Sequence, residues 1–270
     1  MSEDYKDYFK YQYGDLPIIL SVPHGGVQRV KDIPKRENGI LGIDKGTIDL
    51  TFTLIKYIRT ASSQQFGTPK IPSYVISYVH RNRIDFNRGE YKAFQRDSQL
   101  AEKLYGFYHQ KLQEYTNRNI KKYGTSYLID IHGFEKDKRP SGFRDVDIVL
   151  GTLNLKSLFQ RRIPKKDRDK NIRGRVIKEC LEEKIAVAPS RPRRKEYVLK
   201  GGYITQQYGA KTIKDSRAMQ IELSDAVRLY NDTLSAKVMQ ILSGSIIEAC
   251  NSVRKNRDIS GQPDKPSEDR

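Results

Sequence analysis

The sequence predicts an α/β protein, a single sheet with helices on both faces. Two observations carry this. Short apolar runs, several ending in polar residues or glycines, alternate with longer segments of helical periodicity. No internal repeat and no linker divides the chain, so one domain is expected over residues 1–254, followed by a disordered polar tail over 255–270.

The first element is the run Leu16 to Val22, continuous and apolar, as suits a strand buried on both faces. It opens into Pro23, His24, Gly25 and Gly26, and ligands of open α/β sheets bind at such carboxyl ends. Residues 27–43 read as a loop. Ile48, Phe52, Ile55 and Ile58 then recur at helical spacing, with Asp44 at the amino-terminal end. Tyr74 to Val79 reads as a strand and leads into HRNRIDFNR. Residues 98–122 form a long amphipathic pattern, with Leu104, Tyr108, Leu112 and Tyr115 on one side. Tyr127 to Ile131 is a short buried strand ending in His132, Gly133 and Phe134. Asp147 to Leu150 and Ala218 to Leu223 are two more, the last carrying Glu222 near its end. Asp232 to Val253 is helical.

Composition narrows the function classes. The 270 residues hold 50 Lys and Arg against 33 Asp and Glu, a formal net charge of +17. That makes a polyanion a candidate partner. The stretch 156–200 contributes 16 basic and 6 acidic residues, a net of +10. It reads either as an exposed basic insert that meets nucleic acid or another polyanion, or as a solvated helix and loop. Two cysteines, Cys180 and Cys250, argue against a disulfide scaffold, a zinc ribbon or an iron–sulfur protein. No apolar run approaches about 18 residues, so no membrane span is expected. The opening MSEDYKDYFKYQYGD offers no apolar stretch for a secretory signal, and a cytoplasmic location is expected.

Chemistry gathers at predicted strand ends. His24, His132 and a carboxylate such as Asp44 or Glu222 are a common ligand set for a catalytic zinc that keeps one position open for water. Asp130, two residues before His132, is a candidate to fix that imidazole's tautomer if the strand runs far enough. A carboxylate that is not a ligand can act as general base, and Glu222 suits that role. A lone strand-end histidine is more often structural than a ligand. Two such sites, both beside glycine in a chain with 4 His, strengthen the metal reading without deciding it. Arg81, Arg83 and Arg88 surround Asp85, an arrangement that serves an anion site or a surface ion-pair cluster equally well.

Taken in order, the motifs resemble the N-formylglutamate amidohydrolases, relatives of the zinc carboxypeptidases. The matching pieces are SVPHGG at 21–26, Asp44-Lys45-Gly46, Arg81 with DFNR at 85–88, YHQKL at 108–112, LIDIHGF at 128–134, DIVLGT at 147–152, GGYITQQYG at 201–209 and QIEL at 220–223. The resemblance implies a mixed, mostly parallel, zinc carboxypeptidase-like sheet and one zinc held by His24, Asp44 and His132. Asp49, farther into the predicted helix, is the rival for the carboxylate ligand. The resemblance further implies Glu222 as general base to a zinc-activated water and then as proton donor to the leaving amine. Arg81 would stabilise the oxyanion, and Asn87 and Arg88 would hold a substrate carboxylate. The expected reaction is cleavage of an amide bond in an N-acyl amino acid or a peptide-like substrate bearing a carboxylate. The competing class is a nucleic-acid or polyanion binder built on the same scaffold. Two departures stand out. Gln206 and Gln207 occupy positions where the family usually carries Arg and His, and Gly133 replaces a usual Ser. His109 lies in a matched motif, with a structural hydrogen bond as an alternative to any role at the site.

Overall fold

The computed structural model describes residues 5–138 and 144–259. Seven strands form one mixed sheet: β1 (Phe9–Gln12), β2 (Ile18–Val22), β3 (Ser73–Ser77), β4 (Ser126–Phe134), β5 (Ile148–Gly151), β6 (Val187–Ala188) and β7 (Ser216–Ser224). Their order across the sheet is β1-β3-β2-β4-β7-β5-β6. The β2–β3, β2–β4, β4–β7 and β5–β6 pairs are parallel, and the β1–β3 and β5–β7 pairs are antiparallel.

Strand β2 illustrates how the sheet is built. All five of its residues are buried, and alternation divides them between two cores. Ile18, Leu20 and Val22 face the core shared with helices α1 (Thr47–Phe66), α4 (Ile172–Glu182) and α6 (Asp232–Ile259). Ile19 faces the opposite core, beneath α3 (Gln99–Tyr123). The boundaries of α3 follow from its ends. The Ser98 side chain accepts from the Ala101 N–H, Lys121 and Lys122 occupy the last turn, and Gly124 closes it at φ 73° with its N–H on the Ile120 carbonyl. Two short helices, α2 (Glu90–Ala93) and α5 (Tyr203–Gln207), complete the set.

Several boundaries differ from expectation. Strand β3 covers Ser73–Ser77 rather than 74–79, and β4 continues to Phe134, well past Ile131. Helix α6 runs to Ile259, five residues into the segment expected to be a disordered tail; residues 260–270 of that segment lie outside the described residues. The edge strand β1 was not anticipated, because FKYQ is short and only Phe9 is fully buried. The larger correction concerns 156–200. It is built into the domain: Leu158, Ile172, Val176, Ile177, Cys180, Ile185 and Val187 are all core residues. Apart from the buried pair Arg173 and Glu196, most of its charges lie on the outside of α4 and in the flanking loops, so a reading by charge alone takes it for an insert. Cys180 and Cys250 are buried and unpaired, and burial pushes both thiols up to about 12. Among the described residues no helix is long and apolar enough to cross a membrane.

Candidate metal centre and active site

The carboxyl ends of the parallel strands β2, β4 and β7 converge on one place. His24 follows β2 directly. His132 lies within β4 and pairs in register with Glu222 of β7. Asp44 is brought alongside by the loop before α1, where its N–H donates to the His24 carbonyl at 2.9 Å.

Three ligand-type atoms face one another. His24 Nδ1 and His132 Nδ1 lie 3.2 Å apart, His132 Nδ1 and Asp44 Oδ2 3.2 Å, and His24 Nδ1 and Asp44 Oδ2 3.6 Å. A tetrahedral zinc with bonds of about 2.0–2.1 Å places its ligand atoms about 3.3–3.4 Å apart, so the triangle fits such an ion. His24, Asp44 and His132 are the one metal-capable group among the described residues. Asp49 sits exposed in the first turn of α1 and takes no part.

Each imidazole is backed by its own carboxylate. His24 Nε2 donates to Asp85 Oδ1 at 2.7 Å, and His132 Nε2 donates to Asp130 Oδ2 at 2.8 Å. Those contacts fix a proton on each Nε2, so each Nδ1 faces the triangle, where it donates to Asp44 when protonated and offers its lone pair to an ion when not. The Asp130 role expected from spacing holds because β4 runs to Phe134 and places residues 130 and 132 on one face. Asp130 is anchored in turn: Ser21 Oγ donates to its Oδ1 at 2.8 Å, and Tyr108 lies 2.8 Å from that hydroxyl.

The surroundings favour positive charge at the triangle. Asp44, Asp85, Asp130 and Glu222 are all buried. Burial opposes ionisation of Asp44, yet hydrogen bonds from His132 and His24 hold it well below the usual carboxylate range. The same holds for Asp85, where His24, Arg81 and Arg36 outweigh burial. His132 is held well above the ordinary imidazole range: burial opposes this, and Asp130 and Asp44 overcome it. A divalent ion answers the same demand.

Glu222 is not among the three residues whose ligand-type atoms gather in the triangle. Burial pushes its carboxyl up, and Asp44 adds to the effect while His132 opposes it. Gln220, two residues earlier on the same face of β7, orients it. Gln220 Nε2 donates to Glu222 Oε1 at 2.7 Å, and its own oxygen accepts from the Gly202 N–H at 2.6 Å.

A cavity of about 870 Å³ opens above this centre, and Asp44, Arg81, Arg88, His132, Glu222 and Arg228 are among its lining residues. Arg81 donates through Nε to Asp85 Oδ2 at 3.1 Å, and its Nη1 lies 3.6 Å from Asp44 Oδ1. Arg88 is 44% exposed at the cavity wall, with its Nε 3.6 Å from Asp85 Oδ2. Asn87 also lines it, but its amide oxygen accepts from the Ile204 N–H at 2.9 Å and its Nδ2 lies 3.2 Å from His132 Nε2. The oxygen end of that side chain is thus committed within the protein. His109 sits outside the cavity. Its Nε2 donates to the Phe86 carbonyl at 3.1 Å and its Nδ1 lies 3.0 Å from the Tyr208 hydroxyl, so it ties the segment bearing Asp85 and Asn87 to α3.

The structure gives the Gly133 departure a physical reason. A Cβ at this position would lie 2.4 Å from Arg228 Nε. Arg228, 9% exposed, fills that space and donates to the carbonyls of Leu223, Lys45 and Phe134. Gln206 lines the cavity as a neutral group. Sequence reasoning assigned no role to Asp85, Gln220 or Arg228. Asp85 and Gln220 lie inside quoted motifs, and a two-residue offset from Glu222 on a strand is a usable signal for Gln220. Arg228 has no local signal.

Comparison with known proteins points one way. The family model described as N-formylglutamate amidohydrolase matches residues 94–229, which include His132 and Glu222. His24, Asp44, Arg81 and Arg88 precede the match, and the fold brings them to it. The crystal structure of N-formylglutamate amidohydrolase from Ralstonia eutropha JMP134 superposes with a TM-score of 0.59 at 17% identity, covering 92% of this chain and 99% of that one. The gene product Atu2144 from Agrobacterium tumefaciens superposes with a TM-score of 0.57 at 14% identity, covering 92% of this chain and 96% of that one. At such identities the two structures establish the shared fold. No curated protein matches the chain.

Proposed function

This chain belongs to the N-formylglutamate amidohydrolase family, and from that premise we propose that it hydrolyses the amide bond of an N-acyl amino acid or a peptide-like substrate bearing a carboxylate. The observation that carries the reading is the triangle of His24 Nδ1, His132 Nδ1 and Asp44 Oδ2, with edges of 3.2–3.6 Å, beside a separate buried glutamate. The donor set suits zinc, which when bound supplies Lewis-acid activation of water and of the carbonyl.

The chain's own groups do the rest. Glu222, its carboxyl pushed up by burial, accepts a proton from the attacking water as oxygen bonds to the amide carbon. It returns that proton to the amine nitrogen as the carbon–nitrogen bond breaks. Gln220 keeps the carboxylate aimed through its 2.7 Å hydrogen bond. Arg81, held by Asp85, presents its remaining N–H groups to the carbonyl oxygen where negative charge develops. A preorganised donor of this kind is typically worth about 3–4 kcal/mol in the transition state. Arg88 pairs with the substrate carboxylate, with Asn87 beside it as a binding or positioning group. Arg228 supplies a further cation where Gln206 is neutral, which keeps an anionic substrate favoured. Two buried free thiols support placing the activity in the reducing cytoplasm.

The test is a metal assay combined with a substrate screen. The purified protein is expected to carry about one zinc per chain. It should cleave N-acyl amino acids and lose turnover when their carboxylate is converted to an amide. A metal-loaded protein inert toward every N-acyl amino acid and short peptide would sink the reading.

A further inference from the structure

A second cavity, of about 310 Å³, lies in the basic stretch and shares no lining residue with the cavity above the metal centre. Nine of its fourteen lining residues are Lys or Arg, and none is acidic. Arg161, Arg162, Arg168, Arg193 and Arg194 reach it from two loops. Among the described residues none of these five forms an ion pair within 4.0 Å of a carboxylate. Like charges converging on a concave surface repel one another and raise the local potential, which an anion relieves.

The convergence is structurally fixed. Arg173, in the first turn of α4 and 1% exposed, lines the cavity and donates through Nη2 to the Arg194 carbonyl at 2.8 Å. Its Nε lies 3.2 Å from Glu196, also buried, although without hydrogen-bond geometry. Glu196 accepts from the N–H groups of Thr152 and Asn154 at 2.9 and 2.8 Å. That grip holds Leu153, Asn154 and Leu155 at φ of 51°, 57° and 73°, a left-handed run in side chains that disfavour it. The turn delivers Asn154 and Leu155 to the cavity wall.

One wall is apolar. Leu155 and Phe159 line the cavity while packing against the main core, and Ile163 and Pro192 extend the wall. A cationic rim beside a rigid apolar wall with an aromatic ring matches a ligand that joins a polyphosphate to a planar base. The volume lies at the small end of the range for small-molecule sites. We propose that this cavity binds a nucleoside di- or triphosphate, with its phosphates among the arginines of residues 161–168 and 193–194 and its base against Phe159.

The test is ATP binding to the full chain by titration calorimetry, in EDTA so that no metal bridges the phosphates. The comparison set is AMP, inorganic triphosphate and a single-stranded oligonucleotide. Arg162→Glu with Arg193→Glu reverses two exposed charges at the cavity, and Lys121→Glu with Lys122→Glu makes the same charge change at the end of α3. Melting temperatures check that both pairs fold. One saturable ATP site per chain is expected, weakened at least about tenfold by the cavity pair and unchanged by the control pair. AMP and triphosphate should each bind more weakly than ATP. No saturation at about 1 mM ATP, or equal losses in the two variant pairs, would overturn the proposal. So would triphosphate binding as tightly as ATP, because the apolar wall would then contribute nothing. An oligonucleotide that binds more tightly than ATP, with steep salt dependence, would overturn it in favour of a nucleic-acid surface.

Discussion

The two cavities handle charge in opposite ways. At the candidate metal centre four buried carboxylates are interleaved with two imidazoles and the guanidinia of Arg36 and Arg81, and each imidazole has its own carboxylate. In the basic cavity the charges are of one sign, and most sit on exposed side chains. The difference follows from solvent. A charge out of water must be matched on the spot, whereas an exposed one is screened by water and salt and tolerates like neighbours. The first arrangement fixes a geometry. The second holds a potential.

The sharpest way to break this contrast is at Glu222. Glu222→Gln preserves shape and the Gln220 contact but removes the proton acceptor. The expected result is a kcat lower by about 10³-fold with unchanged metal content. Turnover of a small N-acyl amino acid should be unaffected by Arg162→Glu with Arg193→Glu. If Glu222→Gln retains near-normal turnover while the distant charge reversal abolishes it, the roles of the two cavities are misassigned.

The second prediction separates charge from core within the basic stretch. Ile177 is fully buried in α4, and Lys165 is exposed in the loop before it. Ile177→Ala should cost about 2–5 kcal/mol in a urea unfolding series, and Lys165→Ala should stay within about 0.5 kcal/mol. Equal, small effects would mean that the stretch is a dispensable insert after all.

This stretch also shows why parts of the molecule were hard to read in the sequence. Ile172, Val176, Ile177 and Cys180 carry a helical period, but dense Lys and Arg drew the reading toward charge. The metal site was more legible, because His24, His132 and Glu222 interrupt or end apolar runs where a polar group has few structural reasons to be. Asp130 was legible through strand alternation. Asp85 and Arg228 were not, because their meaning lies in partners 61 residues (His24) and 183 residues (Lys45) away. Local pattern records which face a residue takes; it does not record what a distant loop will place against that face.

A third imidazole extends the comparison to one with no carboxylate behind it. Among the described residues the His109 ring hydrogen-bonds only a carbonyl and a tyrosine hydroxyl, and burial lowers its pKa to about 4. The unfolded chain protonates near 6.5. Between those values the unfolded state holds the extra proton, so stability is complete above about pH 6.5 and falls as the pH drops toward about 4. The loss attributable to this residue is about 3 kcal/mol. His109→Gln should flatten the acid limb of the stability profile by that amount, read as the difference in unfolding free energy between pH 7.5 and about 4. An unchanged acid limb would mean that the imidazole already takes up its proton in the fold.

The smallest effect tests the pairing that distinguishes the metal centre from the basic cavity. Asp130→Asn and Asp85→Asn each leave an amide oxygen that can accept from imidazole Nε2, but they withdraw the negative charge that makes Nδ1 a stronger donor. Each should weaken zinc binding by about 10–100-fold in a competition titration with a chelator. The two substitutions differ in their side effects. Asp85 also holds Arg81 at 3.1 Å and accepts from the Asn87 N–H at 3.1 Å, whereas Asp130 is bonded otherwise to Ser21. Asp85→Asn should therefore also raise KM for the anionic substrate at saturating zinc, while Asp130→Asn should leave KM close to that of the wild type. Equal changes in KM would show that Asp85 orients nothing beyond His24, and the link between the metal centre and Arg81 would have to be abandoned.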